Sequence, residues 1–125
     1  VEVRGSIPLG STTSFYIRFG RMTLKHKAEK FLAVLADALM SCETLDIDEM
    51  ADGFSISVPS GQYLLNYHGV AQQLWLSSPM TGAHHFQHQN SDWICTRTQR
   101  SITDVLEEEL TVFGCSFKEK LGQWN

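Results

Sequence analysis

Five carboxylates fall within ten residues, at Glu43, Asp46, Asp48, Glu49 and Asp52. Carboxylate oxygens suit hard cations, so this edge could hold ferrous iron, manganese or calcium at the surface. The spacing matches no calcium loop, and no histidine stands among the acids to complete a tight transition-metal site. Binding there is expected to be weak and exchangeable, and a solvated acidic turn accounts for the same residues equally well. His84, His85 and His88 invite a zinc reading. On a strand, His84 and His88 share a face but lie about 13 Å apart, too far for one ion held at about 2 Å, and His85 points the other way. They read as surface histidines. Cys95 sits beside Trp93 with no acid, base or helix end next to it, so packing is its expected role rather than nucleophilic chemistry. Glu107, Glu108 and Glu109 read as a solvated helix face, and the sequence has no phosphate-cradling glycine loop.

The net charge is −4, but its distribution says more: between Phe31 and Thr96 there is no Lys or Arg. That span holds Asp37, the five clustered acids and Asp92. Such a surface repels phosphate backbones, which excludes nucleic acid as a partner and favours cations and basic protein surfaces. At 125 residues and 42% hydrophobic content the chain is sized for one domain with its own core. The most apolar stretch, Phe31 to Met40, is interrupted by Asp37 and falls well short of the ~18 apolar residues of a membrane helix, so a soluble protein is expected. Cys42, Cys95 and Cys115 are odd in number and form no CxxC pair, which points to unpaired thiols in a reducing compartment. Residues 1–21 carry Arg4, Arg18 and Arg21 against the single acid Glu2, the composition of an organellar presequence remnant.

Leu24, Ala28, Phe31, Leu32, Leu35 and Leu39 follow helical spacing, with Thr23 placed to cap, and predict a helix over Leu24 to Cys42. Short alternating segments follow at Phe54 to Val58, Tyr63 to Tyr67, Gln73 to Ser77 and Trp93 to Thr96, each bounded by turn residues such as Asp52-Gly53 and Asn90-Ser91-Asp92. Ser101 can cap a second helix whose apolar stripe is Ile102, Val105, Leu106 and Leu110. The order predicts an α+β fold, a two-layer sandwich with N- and C-terminal helices on one face of an antiparallel sheet of about five to six strands. Residues 1–21 read as an extension and 22–125 as the single domain.

Strand parity then assigns the other sheet face. If Phe54, Ile56, Val58, Tyr63, Leu65, Leu74 and Leu76 face the helices, then Ser55, Ser57, Leu64, Asn66, Gln73, Trp75 and Ser77 face water. An uncharged patch of amides, hydroxyls and one tryptophan has the composition of an interface centre. The alternative is that a loop or a chain terminus covers Trp75.

The strand carrying Trp75 also resembles the frataxin family of iron-binding proteins, which includes the bacterial CyaY-type members. The matching stretches are Gly61-Gln-Tyr-Leu-Leu-Asn66, Gln73-Leu-Trp-Leu-Ser-Ser-Pro79, Gly82 leading to His85-Phe86, and Asp92-Trp-Ile-Cys95, with Ser101 onward similar to the family's second helix. The resemblance implies a mitochondrial matrix protein, or alternatively a bacterial cytoplasmic one. It also implies weak, exchangeable Fe(II) on acids of the first helix and first strand, here Asp37, Glu43, Asp46, Asp48, Glu49 and Asp52. Docking on a cysteine desulfurase and iron–sulfur scaffold is implied through Asn66, Gln73, Trp75 and His85. The implied role is an Fe(II) donor or allosteric regulator of cluster assembly; a ferroxidase or iron-storage protein oxidising Fe(II) at surface carboxylates is the alternative. A monomer is expected, with an iron-dependent oligomer as the alternative. Two departures stand out: the first helix carries Lys25, Lys27 and Lys30 against only Glu29 and Asp37, and Tyr67-His68 follows Asn66 where the family often has Lys-Gln.

Overall fold

Thr23 opens the first helix as expected, its hydroxyl oxygen accepting the amide of His26 at 3.2 Å. In the computed structural model, which describes residues 22–121, this helix is α1, Leu24–Met40. It stops short of Cys42, whose amide bonds to the carbonyl of Leu39 in a tighter turn while the Ser41 hydroxyl bonds back to the carbonyl of Ala38. The apolar stripe is buried from Ala28 to Leu39, while Asp37 stays exposed.

Six antiparallel strands follow in simple meander order: β1 Asp46–Met50, β2 Gly53–Val58, β3 Gly61–His68, β4 Gln73–Ser78, β5 Gly82–Gln89 and β6 Asp92–Cys95. β1 and β5 were not among the predicted alternating segments. The connection between β5 and β6 is a two-residue loop, Asn90-Ser91, with both residues in the left-handed region at φ 50° and 67°. That geometry matches the right-handed twist of the flanking strands, which is why such loops close hairpins well.

Ser101 caps α2, Ile102–Leu110, by accepting the amide of Asp104 at 3.1 Å. A single 3₁₀ turn, Thr111–Phe113, and a short helix α3, Lys118–Leu121, complete the described chain. α1 and α2 cover one sheet face, and the core between the layers is led by Phe31, Phe54, Tyr63, Phe86, Trp93 and Phe117. The helix-inward parity of β2, β3 and β4 is as predicted, since Phe54, Ile56, Tyr63, Leu65, Leu74 and Leu76 are all at most 2% exposed.

Three expectations about polar residues fail. Cys42 and Cys115, expected to be unpaired, form a disulfide that ties the end of α1 to the chain beyond α2, so the reading of three free thiols is overturned. The 73-residue separation hid the pairing, because only the fold brings the two ends together. Glu109, expected in a solvated face, is buried, since the α2 stripe is wide enough to turn it inward with Val105 and Leu106. Its two oxygens accept the hydroxyls of Ser78 at 2.5 Å and Thr81 at 2.7 Å, which satisfies the carboxylate inside the core. Glu107 is likewise engaged, accepting Ser116 Oγ and the amides of Phe117 and Lys118, and so holds the C-terminal segment onto α2. Burial works to raise the Glu107 carboxyl, but these donors outweigh it and lower it. His84, expected at the surface, is 5% exposed because β5 turns it to the helix side with Phe86.

Candidate functional site

On the helix-free face the register lines up Asn66, Trp75 and His85 as direct cross-strand neighbours on β3, β4 and β5. His68 pairs with Gln73 at the end of β3, diagonal to Trp75. The indole of Trp75 lies between two imidazoles: His68 at a centroid distance of 3.8 Å and 11° from parallel, and His85 at 4.4 Å and 14°. Gln73 Oε1 accepts the indole N–H at 2.9 Å. The four predicted interface residues Asn66, Gln73, Trp75 and His85 are therefore gathered in one patch. Ser77 and Leu64 extend it, whereas Ser55 is only 5% exposed, a small side chain between its register neighbours Asp48 and Leu64. Trp75 is half-buried rather than freely exposed, because the imidazoles cover it.

His68, noted in the sequence only as part of the Tyr67-His68 departure from the family pattern, is a full member of this patch. The alternation of β3 continues one residue past Tyr67, so the period-2 pattern that placed Asn66 outward places His68 outward too. The face is also not wholly uncharged. Asp46 pairs with Ser57 and Asp48 with Ser55, which puts both carboxylates on the same side as Trp75, three strand spacings or roughly 14 Å across the sheet and, respectively, four and two residues off its level along β1.

The six acids do not form one cluster. Glu49 alternates to the helix side of β1, where it shares a groove of about 290 Å³ with Asp52, Glu29 and Lys25. Glu43 lies in the loop after α1, Asp52 in the β1–β2 turn, and Asp37 on the outer face of α1. Among the described residues no group of three or more His, Cys, Asp or Glu side chains is gathered to hold a metal ion. All six acids are exposed, which is the setting of weak, solvated binding rather than of a closed site.

Behind the sheet lies a second polar group. Thr81 Oγ1 donates to Glu109 and sits 2.6 Å from His84 Nε2, so the ring N–H at Nε2 donates to Thr81. His84 Nδ1 then faces Cys95 Sγ at 3.8 Å. Cys95 thus has a base beside it, contrary to the expectation from its sequence neighbours, although it is fully buried as predicted. Burial pushes its thiol up, but the hydrogen bonds it makes with the Thr98 hydroxyl, the His84 ring and the amides of Thr98 and Arg97 prevail and bring it down to about 6. His88 packs edge-on against Trp93 at 4.9 Å; burial and the nearby Lys27 lower its pKa, with Asp92 opposing them.

Among known proteins, the family model of the frataxin-like domain matches residues 14–114. The mitochondrial frataxin homolog of Saccharomyces cerevisiae is 30% identical over 91 residues, covering 67% of this chain and 52% of that protein. The iron-sulfur cluster assembly protein CyaY of Neisseria meningitidis serogroup C is 35% identical over 69 residues, covering 53% of this chain and 64% of that one. The chain thus spans between about half and two thirds of the length of these relatives. In structure, the trimeric yeast frataxin complexed with ferrous iron superposes with a TM-score of 0.69 at 24% identity, covering 80% of this chain and 94% of that one. The frataxin of Psychromonas ingrahamii superposes at 0.64 with 15% identity, covering 71% and 86%. These likenesses carry the fold, and with the match over residues 14–114 the chain belongs to the frataxin family.

Proposed function

We propose that this protein binds Fe(II) weakly and docks, through the helix-free face around Trp75, on a cysteine desulfurase and scaffold complex that builds iron–sulfur clusters, donating iron to it or regulating it. The observation that carries the reading is the half-buried indole displayed among Asn66, Gln73, Ser77 and two imidazoles, on a face without Lys or Arg. A large aromatic anchor set in an amide-rich patch is the usual core of a binding hot spot. The family membership and the iron-sulfur cluster assembly role of the Neisseria relative support the choice of partner. Asp46 and Asp48 share that face, so iron held there would lie beside the docked partner, while Asp37, Glu43, Glu49 and Asp52 offer further exchangeable oxygen ligands. We place the protein in the mitochondrial matrix, with a bacterial cytoplasm as the alternative, and as a monomer that iron can assemble further.

Two measurements test the reading. Trp75→Ala is expected to weaken docking on the desulfurase–scaffold complex by about 2 kcal/mol, roughly 30-fold, with the far-UV spectrum unchanged. Affinity equal to wild type would remove the docking face. An anaerobic Fe(II) titration followed by two-dimensional NMR is expected to broaden signals from Glu43 through Asp52 first. Broadening that starts at His84 to His88 instead would reassign the metal.

A further inference from the structure

Strand position alone does not explain how firmly Trp75 is held. A surface tryptophan on a sheet has two free side-chain torsions, and fixing such a group during binding costs conformational entropy. Here the fixing precedes any partner. The flanking strands β3 and β5 each lay an imidazole against the indole, and Gln73 takes its N–H. His68 is itself anchored: its Nδ1 accepts the amide of Ala71 at 3.2 Å, and its carbonyl accepts the amide of Gln72 at 2.8 Å. The β3–β4 turn, with Gln72 at φ 57°, therefore aims the His68 ring. His85 is exposed and aligned by its direct register with Trp75.

We infer that His68 is a positioning residue for docking: with His85 it clamps the Trp75 indole in its binding orientation before a partner arrives. The inference rests on the docking role proposed above and adds to it a residue that presents the anchor. It predicts that an indole-specific signal depends on the ring at position 68, because the two stacked imidazoles hold the indole in one orientation. The charged side chains that share the face are remote from the clamp: Asp46 and Asp48 on β1, and Asp92 at the start of β6.

The test uses the full chain as wild type, His68→Ala, His68→Phe and Trp75→Ala. In NMR spectra, the Trp75 indole N–H signal, identified by its loss in Trp75→Ala, is expected to be a single sharp resonance in wild type. In His68→Ala it should shift and broaden. Docking on the desulfurase–scaffold complex should weaken about five-fold in His68→Ala, equivalent to ~1 kcal/mol, and return to within about two-fold of wild type in His68→Phe, which restores a flat ring. An indole signal and an affinity unchanged in His68→Ala overturn the inference, as does a His68→Phe protein no better than His68→Ala. If Trp75→Ala itself binds like wild type, the docking role fails instead, and the indole signal of His68→Ala still decides whether His68 orients the ring.

Discussion

Four groups converge on the sulfur of Cys95: the Thr98 hydroxyl, the amides of Arg97 and Thr98, and the imidazole of His84. With the folded thiol near 6 and its ordinary value at 9.0, the unfolded chain holds the proton between those limits while the folded chain has released it. Stability from this site is therefore complete above about pH 9 and gone below about pH 6, so it rises with pH across that window. Urea midpoints measured from pH 6 to 9 are expected to climb in wild type, by up to about 1 kcal/mol per pH unit, and to climb less in Cys95→Ser. Parallel profiles would mean that the thiol stays protonated. Three of the four groups lie within three residues of Cys95; the sequence hid His84, which reaches the sulfur only because the fold brings β5 and β6 side by side. Trp75 was legible for the opposite reason. Leu74 and Leu76 on either side of it fix the inward parity, and period two does the rest.

At the level of elements, the β1–β2 hairpin depends on a close backbone approach. Gly53 pairs with Asn66 across β2 and β3, and a Cβ at Gly53 would run into the Leu65 carbonyl and stand 2.7 Å from Asn66 Cα. Backbone atoms cannot swing aside as a side-chain tip can. Gly53→Ala is thus expected to cost about 2–3 kcal/mol in chemical denaturation and to loosen the acidic edge that this hairpin carries. A cost below ~0.5 kcal/mol would show that the strands part freely there. The strands missed in the sequence are those whose inward positions are not apolar runs. β1 reads Asp-Ile-Asp-Glu-Met and turns only Ile47 toward the core, while the inward row of β5 is Gly82, His84, Phe86 and His88. β2 and β4, with two or three large apolar residues on one parity, were plain. α1 and α2 were legible from stripe and cap together, and Thr23 and Ser101 both bond as their positions predicted, whereas the short α3 has no stripe to read.

Across the whole molecule the two ends of the described chain are fastened by several independent contacts. Thr44 Oγ1 donates to the Phe113 carbonyl at 2.6 Å, Lys120 reaches Ser41, and Phe117 is buried in the core. The Cys42–Cys115 bond lies among them with both residues under 10% exposed. For a loop of 73 residues, chain entropy gives a contribution of roughly 4 kcal/mol. Unfolding in urea with and without a strong reductant is expected to differ by an amount of that order, and a Cys42→Ser, Cys115→Ser double variant should match the reduced protein. Identical curves for all three would mean the pair is open in solution.

That bond also has a topological result. All six described strands and α2 lie between Cys42 and Cys115, so the sheet is threaded on a closed covalent ring. A protease that nicks any one hairpin turn, Asn90-Ser91 for instance, would leave two fragments still joined. The cut would then go unnoticed on a gel until a thiol is added.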